Sequence, residues 1–238
     1  MPSSPSSAPR EKTASDLRDS PAYTIAEAAR YLRLAPATLR SWVLGRHYPT
    51  VVGEGHFPPL IHPASEQPPR LSFWNLIEAH VLRSLRTEHG VKVQALREAL
   101  AYAENQLHVQ GLLLRKELRT EAGDVFLERY GQLIELSASG QLAMRQVFAA
   151  HLNRVEWDQW MFPVRLYPFV SVDTPTPDHP IAIDPHISFG RPVVLRMGIS
   201  TTAIAGRIDA GETVEDIADD YELSPDEVEQ AVLYEHAA

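Results

Sequence analysis

Residues 23–45, YTIAEAARYLRLAPATLRSWVLG, decide how the N-terminal part of this chain folds. Thr24 followed by Glu27 is a capping box, in which the threonine hydroxyl takes the N3 backbone N–H and the glutamate reaches back to the cap's own N–H. Ile25, Ala28, Ala29 and Leu32 then recur at helical spacing and predict an amphipathic, docked first helix. Pro36 suits the first position of a second helix, where its missing N–H leaves nothing unsatisfied, and Leu39, Trp42 and Val43 give that helix an inward stripe. Thr38, Arg40 and Ser41 are left facing out. Two short helices joined by a tight turn, with the second displayed, form the arrangement that lays a helix in a DNA groove.

This stretch resembles the helix-turn-helix of MerR-type winged-helix regulators, whose recognition helix opens as Thr38, Leu39, Arg40, Ser41 and Trp42 do here. The likeness runs on through about eighty residues. Pro69-Arg70-Leu71-Ser72-Phe73 is similar to the returning strand of that family's wing, followed by a helix over 74–85 and the run Leu85-Arg86-Thr87-Glu88-His89-Gly90-Val91. A further amphipathic helix over 93–107, with Val93, Leu96, Ala99, Leu100, Ala103 and Leu107 on its apolar side, stands where such regulators carry their dimerisation helix. Two features depart from the pattern. Ala35 precedes Pro36 where a Ser, Thr or Asp cap is usual, at a cost of about 1 kcal/mol. The wing is also long: Pro49, Pro58, Pro59, Pro63, Pro68 and Pro69 fall between His47 and Arg70, predicting short strands near Leu60-Ile61 and Arg70-Leu71 with irregular connections.

At 238 residues, 44% hydrophobic and 22% charged, the chain has material for a substantial core and more than one domain. No apolar run approaches the roughly eighteen residues that cross a bilayer, and 1–21 reads as a disordered tail without the apolar stretch of a signal peptide, so the expected location is the cytoplasm, away from membranes. With no cysteine, disulfides and thiolate metal sites are excluded, and no cofactor is expected. The net charge of −9 is unevenly spread: residues 23–90 hold seven Arg against five Glu. Arg30, Arg40, Arg46 and Arg70 would supply a local basic face if they converge, and so modest an excess calls for a homodimer on a two-fold operator.

The middle of the chain, 111–170, changes character. Val125-Phe126-Leu127, Gln132 to Leu136 and Pro163 to Pro168 read as short strands, Tyr130-Gly131-Gln132 as a hairpin turn, and 140–152 as a small helix, together a small α+β module. Trp157, Trp160, Phe162, Tyr167 and Phe169 make it aromatic-rich, either as core or as the lining of a pocket. Residues 171–178 read as a linker by their proline and small polar content.

Residues 179–238 then form an acidic module of three short helices near 201–210, 214–221 and 225–235. Thr213 caps the second, and Ser224-Pro225-Asp226-Glu227 starts the third. Ile204, Ile208, Val214, Ile217, Ala218, Leu223, Val228, Ala231 and Val232 would form the core. Beyond Arg207 there is no Lys or Arg, so the surface repels phosphate and suits a basic protein.

This module resembles the small helical domain of VapB-type antitoxins. The matching residues are Ile183-Asp184-Pro185, Gly190-Arg191-Pro192-Val193, Ile199, Ala210-Gly211-Glu212-Thr213 and Ala231-Val232-Leu233-Tyr234. It departs where that family has Gly-Thr-Arg and this chain has Arg196-Met197-Gly198. The resemblance implies a PIN-like ribonuclease toxin as partner.

Little suggests catalysis. His47, His56 and His62 lack helical metal-site spacing, Asp178-His179 and Asp184-Pro185-His186 put acid beside base in sequence but need not converge in space, and no phosphate loop or nucleophile elbow is present. The combined reading is an α+β, mainly helical protein: an N-terminal winged helix-turn-helix with dimerisation helix over 22–110, the middle module, and the C-terminal helical module. It is read as a non-enzymatic antitoxin that represses its own operon through Thr38, Arg40, Ser41, Arg46 and Arg70. Asp216, Asp219, Asp220 and Glu227 are the expected toxin contacts. The rivals are a MerR-like regulator responding to a small-molecule effector and a structural adaptor.

Overall fold

The computed structural model describes residues 16–50, 53–87, 97–98, 112–114, 152–160, 162–168 and 179–236. They form a mixed fold of six α-helices and several small antiparallel sheets. The expectations for the tail before residue 16, the helix over 93–107 apart from Arg97 and Glu98, the strands and turn over 125–136, the helix over 140–152 apart from Leu152, and the linker over 171–178 lie outside these residues.

The opening is a short strand, β1 (Tyr23–Thr24), running directly into α1 (Ile25–Tyr31). The capping box is complete: the Thr24 hydroxyl accepts from the Glu27 backbone N–H at 3.1 Å, and Glu27 Oε2 accepts the Thr24 N–H at 2.8 Å. After a tight turn through Arg33, α2 (Pro36–Leu44) follows with Pro36 in its first turn and no side-chain cap from Ala35. Leu39, Trp42 and Val43 are buried as the spacing requires, and Ala28, Ala29 and Leu32 meet them from α1. Tyr31, outside the expected stripe, is buried as well.

The region between α2 and residue 70 differs from expectation. No strand forms at Leu60-Ile61. Instead β2 (Arg46–Thr50) and β3 (Gly53–Phe57) make a hairpin, and the chain then folds back so that the N–H groups of Leu60 and Ile61 both donate to the Trp42 carbonyl at the end of α2. Pro49 is accommodated because a two-stranded hairpin has only edge strands. β4 (Ser65–Glu66) and β5 (Pro69–Leu71) follow, and β5 sits centrally in a three-stranded sheet, pairing Leu71 with Tyr23 and Arg70 with both Thr24 and Ser65. α3 (Phe73–Thr87) begins immediately after and buries Phe73, Leu76, Ile77, Val81 and Leu82.

The hairpin of β6 (Val155–Trp157) and β7 (Pro163–Leu166) adds Leu152, Val155 and Leu166 to the same core. Of its aromatics, Phe162 stacks on Trp74 and Trp157 packs against the core, whereas Trp160 is 70% exposed. Leu166 bridges to Ile183, which joins this core too and leads into a second small sheet of β8 (Ile181–Ala182), β9 (Val193–Val194) and β10 (Ile199–Ser200). Three helices complete the module: α4 (Thr201–Asp209), α5 (Val214–Tyr221) and α6 (Pro225–His236). Their core is the expected set with Val194, Ile199 and Tyr221 added. Ser224 and Glu227 make a second capping box for α6.

The module docks on the helix pair through α6. The buried Tyr234 hydroxyl donates to the Tyr31 carbonyl at 3.1 Å, the Arg33 guanidinium lies over the Tyr234 ring and donates to the Leu233 and Tyr234 carbonyls, and Arg30 faces Glu235 at 3.6 Å. Arg33, in the turn between α1 and α2, is thereby turned inward rather than toward a ligand.

The first capping box gives a pH-dependent expectation. Glu27 is held below the usual carboxylate range, chiefly by the Thr24 N–H and further by the Thr24 hydroxyl and the charges of Arg70 and Arg191, against the opposing effect of burial. Its stabilisation is therefore present above the unfolded value of about 4.3 and is lost as pH falls through the lower folded value. Glu27→Gln is expected to lose about 1 kcal/mol at neutral pH, with the gap to wild type closing below pH of about 4, as read from paired melting curves.

Candidate nucleic-acid interface

α2 is held by its inward stripe and by the contacts of the Trp42 carbonyl, which leave its opposite side open. Arg40 is exposed there, while Thr38 and Ser41 are half-buried. The Ser41 hydroxyl donates to the Thr38 carbonyl at 2.8 Å, so it is tied to the helix backbone and retains its acceptor lone pairs for a ligand. Trp42 is fully buried and carries the Arg86 guanidinium over its ring, which takes Arg86 out of the set of outward cations.

At the end of α2, Gly45 adopts a left-handed φ of 73° with the Phe57 carbonyl 2.5 Å from where a β-carbon would sit. Only glycine permits this turn, and it delivers Arg46, exposed, onto the first position of β2 just after α2. The hairpin is stiffened by its own side chains. Tyr48 stacks on Phe57 with ring centroids 4.1 Å apart and covers Gly55 opposite, and the His47 and His56 rings lie 4.6 Å apart across the strands. Arg97 clamps the hairpin's exit by donating to the Pro58 carbonyl at 2.6 Å, with its guanidinium over Phe57. The hairpin was not legible in the sequence, because each strand carries a single aromatic residue among proline, glycine and polar neighbours and shows no alternation.

Arg70 is exposed on β5, in register with Thr24 at the cap of α1. Among the described residues the side chains of Arg40, Arg46 and Arg70 enter no hydrogen bond or ion pair, and Arg70 alone of the three acts on a carboxylate, that of Glu27. Arg30, the other expected member, is exposed but shared with Glu235 and the Tyr31 ring.

The residue that anchors this region escaped the sequence reading. Asn75 is buried in the first turn of α3, where its Oδ1 accepts the N–H groups of Ala64 and Ser72 and its Nδ2 donates to the His62 carbonyl and Glu78. The Ser72 hydroxyl in turn accepts the Asn75 N–H. One amide thus ties the loop before β4, the end of β5 and the start of α3 together, and so fixes the strand that carries Arg70.

The acidic module shows how its charges are spent. Arg207 pairs with Glu212 and Asp220, and Arg196 pairs with Glu227 at 2.8 Å while also donating to the Glu222 carbonyl. Glu227 is further committed to the α6 cap. Asp216 accepts from Thr213 at the start of α5 and is exposed, and Asp219 is exposed without a partner among the described residues. Asp184, one of the sequence-adjacent acid-base candidates, is buried against Arg165 at 2.8 Å and accepts the His186 N–H, and the exposed His186 ring also comes within 3.2 Å of it, so this acid and base do meet in space. Among the described residues no group of three or more His, Asp or Glu is placed to hold a metal, and no helix is long and apolar enough to cross a membrane.

Comparison with known proteins matches these two ends separately and the whole chain together. Residues 21–100 match a family described as a putative DNA-binding HTH domain, and residues 181–234 match a family described as a protein of unknown function, DUF433. The protein named putative antitoxin VapB45, from Mycobacterium tuberculosis strain H37Rv, is 30% identical over 234 residues, covering 90% of this chain and 93% of that protein. In fold, the chain is similar to the crystal structure of Rv2018 from Mycobacterium tuberculosis, with a TM-score of 0.64 and 23% identity over 89% of this chain and 97% of the other.

Proposed function

This chain belongs to the family of the putative antitoxin VapB45, and from that premise we propose that it is a DNA-binding antitoxin that represses its own operon and neutralises a PIN-like ribonuclease. The observation that carries the DNA half is the open face of α2, where the Arg40 side chain is exposed and has no partner among the described residues. In this reading the chain divides as 22–110 for a MerR-like DNA-binding domain with its dimerisation helix, 111–170 for a connecting module, 171–178 for a linker and 179–238 for toxin binding. Thr38, Arg40 and Ser41 enter the major groove, and Arg46 on the hairpin and Arg70 on β5 hold phosphates as wing contacts. A homodimer on a two-fold site in the cytoplasm supplies the affinity that so few cations per subunit lack.

The toxin half rests on the acidic surface of α5 and α6. Asp216 and Asp219 are the contacts with charge to offer, whereas Asp220 and Glu227 must be drawn away from Arg207 and Arg196 before they meet a basic partner. No cofactor or chemistry is assigned to this chain.

Arg40→Ala is expected to weaken binding to a duplex taken from upstream of the gene by about 10- to 100-fold and to relax sequence preference at one position. Unchanged affinity and salt dependence in that variant, measured by fluorescence anisotropy, would remove α2 as the recognition helix.

The rival reading is a regulator whose middle module binds a small-molecule effector; a cleft of 570 Å³ lined by Leu17, Tyr23, Phe73, Pro185 and Phe189 lies outside that module. Co-purification with the neighbouring gene's product separates the two: a complex that needs residues 179–238 favours the antitoxin, and its absence favours the regulator.

A further inference from the structure

We propose that Arg191, a residue of the C-terminal module, is part of the DNA-contacting face and binds the phosphate backbone together with Arg70. The proposal rests on the DNA-binding reading above and extends it to a residue outside the helix-turn-helix.

The geometry begins at Gly190. Its φ of 73° is left-handed, and the Tyr23 hydroxyl fills the space that a β-carbon would need, so the module's backbone passes directly against β1. Arg191 is the next residue, pinned by its own N–H to the Ser188 carbonyl and by the buried Pro192 that follows. It therefore emerges beside the strand pair that carries Thr24 and Arg70. It is exposed and, among the described residues, has no hydrogen-bonded or ion-paired partner through its side chain.

Arg70 and Arg191 also act on the same carboxylate. After the dominant effect of the Thr24 N–H, both charges contribute to keeping Glu27 ionised. Glu27 offsets them only in part, because its one negative charge is shared between two guanidinium groups. Two exposed guanidinium groups that share one carboxylate keep a positive balance between them and are complementary to an anionic backbone. The segment that would be called a toxin-binding module thus supplies a cation where the first helix of a helix-turn-helix crosses the DNA backbone.

The test uses the full chain, a duplex carrying the DNA immediately upstream of the gene, and a random-sequence duplex of the same length. Arg191→Ala is expected to weaken both duplexes alike, by about three- to tenfold, and to lower the slope of log K against log salt by about one per subunit. Arg191→Lys should restore most of the slope, because a phosphate contact needs charge rather than a fork. Arg196→Ala, which removes an equal charge from the same module at a position tied to Glu227, should leave the slope unchanged.

Three results would overturn the proposal. If Arg191→Ala leaves affinity and slope unchanged while Arg40→Ala loses binding, the DNA reading stands and Arg191 has no part in it. If affinity falls with no change of slope, Arg191 acts on folding or docking instead. If the wild-type chain binds neither duplex at low salt, the DNA reading fails and this proposal fails with it.

Discussion

Asn75→Ala is expected to cost about 2–4 kcal/mol, a large effect for a single polar side chain. The asparagine makes four side-chain hydrogen bonds from a buried position. Truncation leaves the buried Ser72 N–H without its acceptor, at about 1–3 kcal/mol, while the Ala64 N–H, on an exposed residue, turns to water. The His62 carbonyl loses a donor as well. Chemical denaturation of the two proteins measures this directly, and a loss below about 1 kcal/mol would show that water or a rearranged loop replaces the amide.

Asn75→Asp sharpens the test. It keeps the acceptor but turns a carboxylate oxygen toward the His62 carbonyl and Glu78, where a donor stood. Burial and the neighbouring carboxylate raise the folded value of that aspartate above its unfolded value of about 3.9, so the native state binds the proton more tightly. Stability of the aspartate variant, measured against the alanine variant, should therefore rise as pH falls through the folded value and decline again as pH rises. A flat difference between the two across that range would mean that the site is wet.

How much of this was legible in the sequence depends on whether the signal is local. The α1 cap, the Pro36 start and the inward faces of both helices follow from periodicity and short-range hydrogen bonding, and the structure carries them as expected. The same holds for α4, α5 and α6, whose boundaries and core follow from caps and spacing. The β2–β3 hairpin was hidden because its prolines argue against strands in general, while the structure uses them only where an edge tolerates them. Asn75 was hidden because one polar residue in an amphipathic helix has no period to announce it. The docking of α6 on the helix pair lay furthest out of reach, since the Tyr234 to Tyr31 hydrogen bond spans 203 residues and neither tyrosine carries a pattern that names the other. Of the expected site residues, Arg40, Arg46 and Arg70 stand exposed with no side-chain hydrogen bond or ion pair among the described residues, whereas Glu227 and Asp220 are already occupied by arginines that a charge count alone leaves unassigned.

Gly190→Ala is expected to lose about 2–4 kcal/mol, because it combines two separate penalties. An L-residue at a φ of 73° sits in the left-handed region, at about 1–2 kcal/mol. The added methyl also meets the Tyr23 hydroxyl, and Tyr23 is buried and paired through its backbone with Leu71, so the strand cannot easily retreat. Tyr23→Phe removes the clashing oxygen but leaves the ring carbon 3.1 Å from the new methyl, so relief should be partial. By itself Tyr23→Phe should change stability by less than about 1 kcal/mol, and the double variant should recover about 1–2 kcal/mol relative to Gly190→Ala. Additive losses would mean that the backbone penalty dominates and that the module's approach to β1 is loose. A recovery of that size would instead mean that close packing of Gly190 on Tyr23 sets the seat of the C-terminal module. In that case Gly190→Ala, which displaces the backbone just ahead of Arg191, should weaken DNA binding through the same loss of salt slope as Arg191→Ala, and Tyr23→Phe should return part of it.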